Sequence, residues 1–244
     1  GRPRNKRRAC GTGARHKVAI NAHEPFKDTG LRRTYPNIIS REGQRGMEYS
    51  AWGNPSNPPE HVPNLVFTRL LAGPMDYTPG IFGMETRSPQ GVQTTWAKQL
   101  AYYVVIYSPI QMAADLLVNY EANPGPFQFI KDVPVDWEES RTLAAELGDY
   151  VVIARKERGS DIWALGAVTD ENPRVLTADL DFLDAGRRYR AEIYRDGPDA
   201  DYKGRREDIV IEQREVSAAD TLTLALAPGG GQAIRFVPVG RARR

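Results

Sequence analysis

Beyond residue 149, apolar and polar positions alternate in short runs broken by turn residues. Segments 150–156, 161–169, 174–181, 188–196, 208–216, 221–226 and 232–237 each read as a strand. Arg158-Gly159 and Asp196-Gly197 are among the turns between them. Seven short strands at this spacing predict an antiparallel β-sandwich. Upstream the texture differs. Residues 95–117 carry apolar side chains at helical spacing and predict the longest helix, bent or restarted at Pro109. Lys17-Val-Ala-Ile-Asn-Ala22 reads as a short buried strand with a polar exit. Residues 23–64 are rich in Gly, Pro and charge, predicting loops with a helical turn over 40–49 capped by Ser40. A short helix is expected near 138–147. Residues 1–14 have no apolar period and read as a disordered basic arm or a translation artefact, so folding is expected to begin near Arg15. Three units follow: 1–14, 15–135 and 136–244.

Charge changes this picture little. The formal net charge is +2, but residues 1–17 hold seven Lys/Arg and no acid, and the tail adds Arg241, Arg243 and Arg244. Removing those ten leaves −8 for residues 18–240, an acidic body without a basic stripe interleaved with aromatics. That argues against nucleic acid as a partner. One cysteine, Cys10, allows no internal disulfide. The most apolar window, 100–117, contains Pro109, Gln111 and Asp115 and reads as a buried helix, not a membrane span. The Gly229–231 run is a turn, because no helix opening on Lys-Ser/Thr follows it.

Candidate chemistry lies in the loop-rich region: His23, Glu24, Glu42 and Glu48. By spacing alone, three loop carboxylates are most simply solvated surface groups. Glu24, however, directly follows a strand, where barrel enzymes place catalytic groups. Asp76 and Tyr77 sit in a Pro-bracketed turn, read as an Asx cap or a substrate contact. Arg32 and Arg33 suit ion pairs with the glutamates. Trp52 suits either sugar stacking or a small satellite core. His61 and His16 are expected to be a loop and a solvent-facing histidine, Asp115 a cap or ion-pair residue, and Tyr102, Tyr103 and Tyr107 packing residues.

Five motifs in order then carry a resemblance. They are Asn21-Ala-His-Glu-Pro25, Thr29-Gly-Leu-Arg-Arg-Thr-Tyr-Pro-Asn37, Arg41-Glu-Gly43, Gly46-Met-Glu-Tyr49 and Gly73-Pro-Met-Asp-Tyr-Thr-Pro-Gly80. Residues 99–115 and 150–155 continue it, and the sequence resembles glycoside hydrolase family 97 from about Arg15 to Val239. The resemblance implies an α/β plus all-β fold: the C-terminal portion of a (β/α)8 TIM barrel followed by a C-terminal antiparallel β-sandwich. It implies hydrolysis of α-glucosides or α-galactosides with Ca²⁺ as cofactor and an oligosaccharide as substrate. By motif, Glu48 matches the general acid and His23 a sugar-contacting histidine. Glu24 matches a calcium-binding carboxylate that helps activate water, and Glu42 a second calcium ligand. Because retaining members lack the glutamate found here at position 24, Glu24 implies the inverting, mostly α-glucosidase branch. The chemistry is consistent: a glycosidic oxygen leaves readily only when protonated, and a hard Ca²⁺ suits carboxylate oxygens.

A whole barrel takes about 250 residues, and residues 15–135 are roughly half of that. The expectation is a truncated enzyme, inactive by itself, from a periplasmic or secreted parent. The alternative is a non-catalytic carbohydrate-binding or structural β-sandwich module.

Overall fold

The computed structural model describes residues 2–23 and 29–240. The first correction falls at its start. Residues Arg2–Arg15 form a helix, α1, where a disordered arm was expected. Arg, Lys and Ala favour the helix, and its glycines blur any apolar period. It is held from outside: Cys10 is buried, Asn37 Nδ2 donates to the Cys10 carbonyl at 3.3 Å, and Gly11 lies against the Tyr35 ring.

Strand β1 (Ile20–Ala22), helix α2 (Leu31–Thr34) and strand β2 (Ile38–Arg41) follow. β1 and β2 pair in parallel, and Arg41 makes a further parallel bridge to Met75. Ser40 therefore caps no helix. It lies buried in β2, its hydroxyl 2.8 Å from that of Ser108. The helical turn comes later, as α3 (Tyr49–Trp52), ahead of α4 (His61–Phe67) and a 3₁₀ turn at Arg69–Ala72.

Helix α5 (Trp96–Val105) begins at Thr95, whose side chain accepts from the Lys98 amide. It neither reaches Pro109 nor restarts after it, and α1 is the longer helix. A residue before proline is pushed out of the helical region. The buried Arg155 guanidinium also closes the end, donating to the carbonyls of Val104 (2.6 Å) and Val105 (3.3 Å). Helices α6 (Leu117–Ala122) and α7 (Pro124–Asp132) complete this part.

The remainder is antiparallel: β3 (Trp137–Glu146), β4 (Tyr150–Glu157), β5 (Trp163–Thr169), β6 (Arg174–Asp179), β7 (Arg188–Asp196), β8 (Ile209–Ser217), β9 (Thr221–Leu226) and β10 (Gly231–Pro238). Six strands form one sheet in the order β3-β4-β5-β10-β7-β8, and β6-β9 form a second, two-stranded ladder. The helix expected near 138–147 is instead the edge strand β3, paired with β4 across two register shifts. Its Glu, Ala and Leu residues favour a helix locally, but ladder pairing along β4 overrides that preference. One face of the large sheet buries Val152, Ala154 and Leu165 against Leu222, Leu224 and Leu226 of β9. The other face packs Val151, Ile153 and Val168 with α5 in a core that also holds Met47, Met75 and Tyr77. Residues on both sides of position 135 thus share one core.

Two glycines allow α5 to lie this close. A Cβ on Gly166 of β5 would stand 2.8 Å from the Ala101 carbonyl, and one on Gly231 would stand 2.7 Å from Lys98 Cα. Gly166→Val is expected to cost about 1–3 kcal/mol through overpacking, read as a lower urea midpoint at unchanged slope.

The same interface buries charge. Lys98 on α5 is fully buried, its Nζ donating to the carbonyls of Pro59 (2.8 Å) and Thr169 (2.5 Å). Asp196 at the end of β7 accepts from the amides of Ala227 (2.9 Å) and Gly231 (2.8 Å).

Candidate active site

The parallel segments determine what meets here. In the β1–β2 register Ala22 pairs with Arg41, so His23 and Glu42 leave matching strand ends side by side. The bridge from Arg41 to Met75 adds Asp76 at the third end, its amide donating to the Arg41 carbonyl at 3.0 Å. Three segments thus deliver three functional groups at one edge. Arg69 knits that edge together, its guanidinium donating to the carbonyls of Arg41, Glu42, Gly73 and Pro74.

Glu48 stands at the start of α3, exposed, and makes no capping hydrogen bond. One ligand-capable atom from each of His23, Glu42 and Glu48 lies within 4.8 Å of the others. These are three of the four site residues expected from the motifs. Glu24 lies outside the described residues.

Asp76 is 1% exposed, and its Oδ2 accepts from Asn21 Nδ2 at 2.5 Å and His23 Nε2 at 2.6 Å. Its Oδ1 accepts the Thr78 amide at 3.3 Å, the Asx contact anticipated for this turn. The role in holding Asn21 and His23 is the part that sequence reasoning missed. A signal was present: Asn21 and His23 occupy alternate positions at one strand end and so share a side. Burial pulls the His23 pKa down, but the hydrogen bond and charge of Asp76, with Glu42 and Glu48 behind it, outweigh burial and raise it. Asp76→Asn is expected to lower the His23 pKa, measurable as an earlier loss of imidazolium in an NMR titration; an unmoved curve would show that Asp76 does not hold the proton.

The remaining candidates divide cleanly. His61 lies in α4 where a loop position was expected, with Nε2 2.8 Å from the Arg45 carbonyl, and burial chiefly lowers its pKa. His16 is exposed. Asp115 caps no helix, since α5 ends at Val105 and the N-cap of α6 is Leu116; its carboxylate instead accepts from the amides of Phe82, Gly83 and Leu116. Tyr102 and Tyr103 are buried packing residues. Arg32 lies against Gly73. Trp52 is 59% exposed, edge-on to Tyr49 at 6.0 Å.

Two family models match the chain: "Glycoside hydrolase 97" over residues 4–44 and "Glycosyl-hydrolase 97 C-terminal, oligomerisation" over 136–237. The chain belongs to glycoside hydrolase family 97. The first match also corrects the artefact reading of residues 1–14, since it begins at residue 4. This family 97 chain is 35% identical to a retaining alpha-galactosidase of Bacteroides thetaiotaomicron, over 94% of the chain and 35% of that relative. It is 30% identical to a probable retaining alpha-galactosidase of Streptomyces bingchenggensis, over 89% of the chain and 31% of the relative. A family 97 enzyme from Pseudoalteromonas sp. strain K8, solved in complex with panose and with acarbose, is 56% identical with a TM-score of 0.89, covering 95% of this chain and 36% of that one. The chain thus spans about a third of the length of these relatives. Both curated relatives are named as retaining, so the inverting course expected from Glu24 is not supported. Among the described residues no helix is long and apolar enough to cross a membrane.

Proposed function

We propose that this family 97 chain carries the acid side of a glycosidase site that hydrolyses α-glucosidic bonds in oligosaccharides. The observation that carries this reading is the cluster of His23, Glu42 and Glu48 within 4.8 Å, formed where parallel segments end. The parallel segments are read as staves of a (β/α)8 barrel, whose active sites form at that end. The glucoside reading draws on the 56% identical enzyme solved with panose and acarbose.

Glu48 donates its proton to the glycosidic oxygen as the bond to the anomeric carbon breaks. Its carboxyl is accessible to a substrate, being exposed and untied to the helix it precedes. His23, oriented through Nε2 by buried Asp76, presents its other ring nitrogen toward a sugar hydroxyl. Asp76 acts on the substrate through His23 and is a positioning residue.

Calcium fits the carboxylate part of this donor set. Glu42, half-buried with its backbone held by Arg69, would hold the ion, whereas His23 Nε2 is committed to Asp76. When bound, such an ion polarises and orients oxygen ligands. Glu24 is assigned a share of that ion and of water activation by its motif alone.

The test is turnover of maltose by the full-length enzyme with added Ca²⁺ and after chelation. Activity on maltose that falls at least tenfold on chelation and returns with Ca²⁺ is expected. Turnover of α-galactosides but not maltose overturns the substrate reading, and indifference to chelation overturns the metal reading. NMR of the first-formed anomer reads the stereochemical course directly.

A further inference from the structure

Thr78 holds a backbone conformation that its own chemistry disfavours. Its φ is +56°, in the left-handed region, although it is β-branched, buried and followed by Pro79. Branching at Cβ makes that region an outlier for threonine, and a following proline favours an extended backbone instead. Such a conformation persists only where the surroundings over-determine it. Here they do so from both sides. Downstream, the Pro79 carbonyl accepts the Ala114 amide at 3.1 Å, and the Gly80 amide donates to Gln99 Oε1 at 2.9 Å. The Gly80 carbonyl accepts the Tyr120 hydroxyl at 2.9 Å. Upstream, the Tyr77 ring is buried beside those of His61 and Tyr102.

Between these anchors the φ of Thr78 sets where the two preceding residues point. With the chain turned back on itself, the Thr78 amide reaches Asp76 Oδ1 at 3.3 Å, which leaves Oδ2 to His23 and Asn21. The two carbonyls of the same turn hold the loop that carries the proposed acid. That of Asp76 accepts Gln44 Nε2 at 3.0 Å. That of Tyr77 accepts the amide of Met47, the residue before Glu48, at 2.8 Å. The Thr78 hydroxyl donates to the same Tyr77 carbonyl at 2.6 Å and fixes its direction. One turn therefore registers His23 through a side chain and Glu48 through the main chain. On the hydrolytic reading above, we infer that Thr78 is a positioning residue for the reaction: its strained backbone and its hydroxyl aim the Tyr77 carbonyl at Met47 and so set the place of the Glu48 carboxyl. An extended Thr78 would relieve the strain and carry that carbonyl off the Met47 amide.

The kcat and KM of the full-length enzyme on maltose and on 4-nitrophenyl α-glucoside test the assignment. Thr78→Val keeps the branched shape without the hydroxyl. Thr78→Gly takes the left-handed backbone freely, so it removes the side chain without opposing the fold. Both are expected to lower kcat on maltose by about tenfold at unchanged KM, because the acid is displaced from the glycosidic oxygen. Turnover of the aryl glucoside, whose leaving group needs no proton, should change by less than about twofold. Thr78→Ser, which keeps the hydroxyl, should restore most of the lost maltose turnover. Equal losses on both substrates in Thr78→Val and Thr78→Gly would show a merely structural role and overturn the inference, as would normal maltose turnover in both. Glu48→Gln, measured alongside, separates the two readings. A maltose-selective loss there but not in the Thr78 variants overturns the inference alone, whereas no selectivity in Glu48→Gln overturns the acid reading on which it rests.

Discussion

Glu48→Gln in the full-length enzyme lowers kcat on maltose by about 10²–10⁴-fold, the usual weight of a positioned general acid. The amide keeps the shape of the side chain but has no acidic proton, so the sugar alkoxide must leave unprotonated. On 4-nitrophenyl α-glucoside the loss is much smaller, because nitrophenolate leaves without help. The side chain is exposed and makes no capping hydrogen bond, so the fold stays intact and the far-ultraviolet spectrum should be unchanged. The contrast between the two leaving groups is the decisive quantity. Equal losses on both substrates, or normal turnover of maltose, remove Glu48 from the acid role.

Lys98→Met is expected to destabilise the fold by about 3–5 kcal/mol, the range for removing one partner of a buried charged network. The ammonium bridges the carbonyls of Pro59 and Thr169, which methionine leaves unpaired inside the α5–sheet interface. Burial lowers the Lys98 pKa from 10.5 to about 7, against the pull of Asp196 and other nearby carboxylates. A neutral amine still offers two N–H groups, one for each carbonyl. Between about pH 7 and 10.5 the unfolded chain holds a proton that the folded chain has shed, so stability rises with pH across that window. Asp196 acts oppositely. Burial raises its pKa from 3.8 to about 6, so the folded chain binds the extra proton and stability falls as pH rises through that range. Urea midpoints should therefore pass through a minimum between about pH 6 and 7. In Lys98→Met the rise above that minimum should disappear; a retained rise would mean that another group titrates there.

The site was legible wherever a motif preserved order along the chain. His23, Glu42 and Glu48 lie within 25 residues of one another in sequence, and the structure brings them within 4.8 Å. What the sequence left hidden is the apparatus that holds them. Asp76 is 53 positions from His23, and nothing local in a Pro-bracketed turn distinguishes a buried acceptor from a solvated cap. Arg69 reads as an ordinary surface cation until the carbonyls of two separate segments converge on it. Met47, Met84 and Met112 are likewise ordinary apolar residues in sequence, and only the fold groups them with Glu48 around one cavity.

Sequence by itself determined seven of the eight strands of the antiparallel part, residue for residue in β7 and β9, because period-two alternation and turn residues are local properties. It also determined the family, through motifs whose order survives whatever the fold does with them. The tertiary structure decided the rest. It stopped α5 at Val105 with an arginine from β4, and drew the helix-favouring residues of β3 into an edge strand. It docked α1 through the Cys10 carbonyl and placed Asp76 behind His23. Each of these rests on hydrogen bonds between residues far apart in the chain, whose energy local propensities of a few tenths of a kcal/mol per residue do not outweigh. Glu48 was visible as a candidate acid in the sequence; the structure added the grouping with His23 and Glu42 in which it stands.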